Sequence, residues 1–190
     1  MKHMLMAMLG SLALFSSCEC MSAGSNNSPA VRHALNKQEQ DGLDAWLGSH
    51  PHVRYATVED CKCQEDVEDM RKLSETRPQQ PDYNPYMVVG DFNGDGAADF
   101  AVVLIDGDKP TGAGARRHVL LVFNGPFNKG AKAPAFEANV DMADYALFYF
   151  PPRRNEQWRP GLAVAPFSAD VAFWLVPRKN SYDMKPAGEE

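Results

Sequence analysis

The chain has 190 residues, 44% of them hydrophobic and 23% charged, with a formal net charge of −6. That length suits about one domain with a buried core, and the negative charge disfavours nucleic acid, whose phosphates demand clustered Lys and Arg. Fourteen Gly and fourteen Pro punctuate the chain too often for a helical bundle and point to short strands and turns.

The first residues read as an address. Lys2 supplies a positive start, and Met4 to Phe15 is an uncharged apolar run broken only by Gly10 and Ser11. It falls short of the roughly 20 apolar residues of a permanent membrane helix and has the form of a secretory leader. Leu14-Phe15-Ser16-Ser17-Cys18 resembles the lipobox of bacterial lipoproteins, although Phe15 stands where Leu is usual. That resemblance implies lipidation of Cys18 and membrane attachment through an N-terminal lipid only. The alternative is plain release into the periplasm. We expect a leader over 1–17, a small and polar tether over 18–34, an α+β domain over 35–180, and a polar, frayed tail over 181–190.

Asn36 to Leu47 carries helix signals: an N-capping Asn36, Glu39 three residues on, an apolar face of Leu43, Trp46 and Leu47, and Gly48 as a stop. Val53 to Val58 alternates as a short strand. Gln64 to Leu73 predicts a more polar helix with a thin stripe of Val67, Met70 and Leu73. Arg77 to Pro85 is a Pro-rich connector.

Four cysteines stand at positions 18, 20, 61 and 63. In an oxidising compartment disulfides are the default. One intervening residue makes a Cys61–Cys63 ring small and strained, so Cys20 is the expected partner of Cys61 or Cys63. A competing reading sets His50, His52, Cys61 and Cys63 around zinc, although their spacing is unlike a zinc finger's.

From Tyr86 the pattern turns to strands. Tyr86–Val89 and Phe100–Ile105 flank an acidic loop, and Asp106-Gly107-Asp108 with Pro110 and Gly112 predicts a turn. Further strands are expected over Val119–Phe123, ended by Asn124-Gly125-Pro126, and over Ala146–Phe150, Leu162–Ala165 and Val171–Val176. Helices followed by strands predict an α+β fold, an antiparallel sheet with one or two N-terminal helices packed on one face. Tyr145, Phe148, Tyr149, Phe150, Trp158, Phe173 and Trp174 are candidates for its core or for a binding face.

The acidic loop is Asp91-Phe92-Asn93-Gly94-Asp95-Gly96-Ala97-Ala98-Asp99. Calcium takes six to eight oxygen ligands. Asp91, Asn93 and Asp95 offer oxygen at alternate positions, Gly96 permits a sharp turn, and the Ala97 carbonyl and Asp99 supply the seventh and ninth positions. An EF-hand would carry Glu at the twelfth position. Val102 stands there, and strand rather than helix follows.

The loop with its flanks, from Tyr86 to Phe127, resembles the FG-GAP and VCBS repeats, whose motif runs Asp-x-Asn-x-Asp-Gly-x-x-Asp between two strands. The resemblance implies a calcium ion held by Asp91, Asn93, Asp95, Ala97 and Asp99. Those repeats build propellers from several copies, whereas this chain has one copy of the motif, so the unit is expected as a single strand–loop–strand element. Lacking the twelfth-position Glu, it should bind calcium weakly, roughly at 10⁻⁴ to 10⁻³ M. No Gly-x-Ser-x-Gly, His-Glu-x-x-His or phosphate-binding loop is present. The expectation is a non-enzymatic envelope lipoprotein that binds another envelope protein or polymer. The alternative is a periplasmic hydrolase of envelope polymers using carboxylates assembled in space.

Overall fold

The computed structural model describes residues 35–76, 84–111, 115–127, 133–151, 161–167 and 171–188. The leader, the tether with Cys18 and Cys20, most of the Pro-rich connector and Trp158 lie outside them. Helix α1 spans Lys37–Gly48. Asn36 Oδ1 accepts the amides of Gln38 and Glu39 at 2.9 and 3.1 Å, and Glu39 returns a carboxylate oxygen to the Asn36 amide at 2.8 Å. This reciprocal box satisfies donors that a helix start leaves open. Strand β1 (Val53–Tyr55) follows, then a single 3₁₀ turn at Val58–Asp60 and helix α2 over Gln64–Thr76.

Strands β2 (Met87–Gly90), β3 (Asp99–Thr111), β4 (Ala115–Phe123) and β5 (Phe136–Val140) join β1 in a first antiparallel sheet. Its main order is β1-β3-β4-β5. Strand β2 shares the β1 edge of β3, because Met87–Gly90 pairs with Asp99–Val102 and Val53–Tyr55 pairs with Leu104–Asp106. Strands β6 (Ala146–Phe150), β7 (Gly161–Ala165), β8 (Phe173–Pro177) and β9 (Tyr182–Pro186) form a second antiparallel sheet in sequential order.

The apolar run of β3 is explained by burial on both faces. Phe100, Val102 and Leu104 pack with Leu43, Trp46 and Leu47 of α1. Ala101, Val103 and Ile105 face Leu147, Leu162, Val164 and Leu175 of the second sheet, with Val67 of α2 in the same cluster. Each large apolar side chain so enclosed contributes about 1.5–3 kcal/mol relative to exposure.

The chain is α+β with antiparallel sheets, as its sequence predicts. The arrangement differs from expectation in several respects. Among the described residues there are two sheets rather than one, and the helices contact opposite faces of the first, α1 packing on its outer face. The predicted turn at Asp106–Pro110 is strand: β3 runs on to Thr111 with a register irregularity after Asp106. Strand β5 was not anticipated. It alternates Phe136, Ala138 and Val140 with more exposed Glu137 and Asn139, a half-covered edge whose polar members hide the pattern. The expected frayed tail is instead β9, in which Tyr182 is buried and register-paired with Pro177.

The cysteine expectation is also corrected. Cys61 and Cys63 are bonded to each other. The chain leaves the 3₁₀ turn extended at Cys61, so the two Cα atoms stand 5.1 Å apart, within the usual span for a disulfide. Among the described residues no helix is long and apolar enough to cross a membrane.

Candidate metal centre

The loop between β2 and β3 folds around its own carboxylates. Asp91 Oδ1 accepts the amides of Gly94 and Asp95 at 2.7 and 3.1 Å, and its Oδ2 accepts that of Gly96 at 2.9 Å. Gly94 and Gly96 take positive φ, 76° and 85°, which L side chains resist. Asn93 Oδ1 accepts the Asp95 amide at 2.9 Å, and its Nδ2 donates to Asp95 Oδ2 at 3.1 Å. Ala97 lies in the same turn and donates its amide to Asp95 Oδ1 at 2.8 Å.

Asp99 is set apart from that rim. Its side chain is 0% exposed, with Oδ2 on the Phe92 amide and Oδ1 on the Gly125 amide, each at 2.9 Å. Burial pushes its carboxyl pKa up. The amides of Gly125 and Phe92 oppose that rise, and the Asp95 charge adds to it. The structure thus brings Asp91, Asn93, Asp95 and Ala97 into one hydrogen-bonded turn and roots the turn through Asp99.

Two tyrosines of the second sheet reach this unit. Tyr149 lies so close to Gly90 that any Cβ there would stand 2.6 Å from its ring. Its hydroxyl donates to the Asp91 carbonyl at 3.3 Å. Tyr182 donates to Asn124 Oδ1 at 2.7 Å. Its phenol is pushed above the usual tyrosine range by burial and then by the carboxylates of Asp99, Asp95 and Asp91. Sequence reading missed Gly125, Tyr149 and Tyr182 as parts of the site. Only the Asn124-Gly125 pair, noted as a strand end, marked the place.

The donor chemistry of the turn suits a hard cation: Asp91, Asn93 and Asp95 offer oxygen and no sulfur or imidazole. Three amides occupy three of about four lone-pair sites on the Asp91 carboxylate. Among the described residues no three His, Cys, Asp or Glu side chains form a cage by themselves, so any ion held here would have to draw on amide and main-chain oxygens as well. The zinc set is not assembled. Cys61 and Cys63 are joined, and His50 stacks on Trp46 at 3.7 Å with Nδ1 on the Trp46 carbonyl at 2.8 Å.

A cleft of about 400 Å³ opens beside the loop, lined in part by Asn93, Asp95, Asn124, Lys179 and Asn180. A second, of about 330 Å³, lies between the sheets. Among the described residues, the lining of each holds a single carboxylate. Compared with known protein families, curated proteins and solved structures, the chain gives no match to any of the three.

Proposed function

We propose that this is an exported envelope protein, anchored through a lipid on Cys18, in which a structural calcium ion at the Asp91–Asp99 loop stiffens a non-catalytic binding domain. The observation that carries the reading is the inward turn of Asp91, with Asn93 and Asp95 in mutual contact at 3.1 Å. An all-oxygen rim on a strand-to-strand corner suits calcium. Asp91, Asn93, Asp95, the Ala97 carbonyl and Asp99 would hold the ion, and the ion would offset the repulsion of the crowded carboxylates. The corner is also where Tyr149 ties the second sheet to the first, so stiffening it bears on how the sheets are held.

Among the described residues each cleft is lined by a single carboxylate, which favours binding over hydrolysis, since hydrolysis calls for a pair of carboxyl groups flanking the scissile bond. The partner class is another envelope protein or polymer. Isothermal calorimetry of the mature chain tests the ion, with saturable calcium heat expected at submillimolar to millimolar affinity and little for magnesium at the same concentration. Radiolabelled palmitate tests the anchor. The label is expected in the membrane fraction and lost in Cys18→Ser; a wild-type chain that takes no label rules the anchor out.

A further inference from the structure

We propose that the slot between the two sheets, at the β5 edge, binds a small amphiphile with an aliphatic body and a protonated amine head. This inference does not depend on calcium. The slot has a wall from each sheet. Val140 comes from β5, while Val164, Phe173 and Met184 come from β7, β8 and β9. Tyr145 and Asp141, in the connection between the sheets, complete the lining.

Val164 is buried, whereas Val140, Tyr145, Phe173 and Met184 are each half-buried and packed against the core. These four side chains keep apolar surface in reach of solvent at a place where the sandwich does not close. At about 330 Å³ the slot lies near the lower end of small-ligand sites, which run to roughly 300–1,000 Å³. That size suits a short aliphatic body and is too small for a folded partner.

Charge selects the head group. Among the described residues of the lining, Asp141 is the one acid and none is basic. Asp141 is exposed, with Oδ1 on the Ala143 amide at 3.1 Å. Asp144 stands three residues on, with Lys62 at 3.4 Å from it and both side chains well exposed. Both carboxylates act on Tyr86, whose hydroxyl donates to the Met142 carbonyl at 3.2 Å and whose ionisation they oppose after the larger effect of burial. An anionic head would meet repulsion here, and a cationic one attraction.

The test uses the full mature chain with octylamine, octanoate and octan-1-ol below their aggregation limits, followed through the methyl resonances of Met184, Val140 and Val164. Octylamine should shift these methyls saturably and bind at least about fivefold more tightly than octanoate, the scale of one screened ion pair gained or lost. Asp141→Asn should shrink that preference while leaving octan-1-ol binding unchanged. Val140→Phe, on the partly exposed wall, should weaken all three probes while circular dichroism stays native. Should Val140→Phe not fold, the methyl shifts and Asp141→Asn still decide the matter. Equal affinity for octylamine and octanoate would overturn the head-group assignment. The absence of any saturable shift at the Met184, Val140 and Val164 methyls would overturn the site.

Discussion

Asp99 Oδ1 accepts the amide of Gly125 at 2.9 Å, so one fully buried carboxylate ties the β2–β3 loop to the turn that ends β4. Its other oxygen holds the Phe92 amide at 2.9 Å. Asp99→Ala leaves two buried amides without their acceptor and should cost about 2–4 kcal/mol. Urea unfolding in the presence of a calcium chelator measures this apart from any ion. A loss below about 0.5 kcal/mol would contradict the anchoring role.

At Gly125, a Cβ would collide with the Ala98 carbonyl oxygen and press on the Ala97 side chain. Main chain gives way poorly, so Gly125→Ala should destabilise by about 1–3 kcal/mol. Gly48→Ala makes a suitable control, since a Cβ there meets nothing within 4 Å. Thermal melts of the two variants should separate clearly.

Arg54 reaches Asp60 through both terminal nitrogens, at 2.6 and 2.7 Å, and the Asp60 side chain is 2% exposed. Asp60 also accepts the Thr57 amide at 2.9 Å. Because Arg54 itself is 40% exposed, solvent screens part of the attraction. Arg54→Ala should cost about 1–2 kcal/mol, read as a lowered urea midpoint with an unchanged slope.

Burial raises the phenol pKa values of Tyr86 and Tyr182, with nearby carboxylates adding to both. The folded chain therefore keeps these phenols neutral while the unfolded chain ionises them near pH 10. Their contribution to stability is full below about pH 10 and is lost as pH rises beyond it. Absorbance at the phenolate band should show both silent until alkaline unfolding. Early titration of Tyr86 in a folded chain would contradict its enclosure.

Peptide mapping of the unreduced chain by mass spectrometry should recover Cys61 and Cys63 linked within one fragment. A fragment joining either of them to Cys20 would restore the expectation drawn from ring size.

Local signals were the legible part of this fold. Asn36 and Glu39 announce the start of α1, and β6 lies over Ala146–Phe150 as the apolar run suggests. The strand–loop–strand unit around Asp91–Asp99 also falls where its residues place it. Long-range pairing was not legible. Nothing local in Tyr182-Asp183-Met184-Lys185-Pro186 distinguishes a polar tail from an edge strand; pairing with β8 decides it. Tyr149 reaches the loop only because the second sheet stacks on the first, a relation that spans 58 residues to Asp91. Asp106–Pro110 carries turn residues, yet β3 continues through them, its Asp106 paired with Arg117 of β4.

The central claim is that calcium at the Asp91–Asp99 loop stabilises the domain, and thermal melting with and without it is the direct measurement. For an affinity of about 10⁻⁴ to 10⁻³ M, roughly 10 mM calcium should stabilise by about 1.4–2.7 kcal/mol. That corresponds to a rise in melting temperature of roughly 3–10 °C. Asp95→Ala, at an exposed position on the rim, should fold and lose the rise. A wild-type melt left unchanged by calcium would contradict the account.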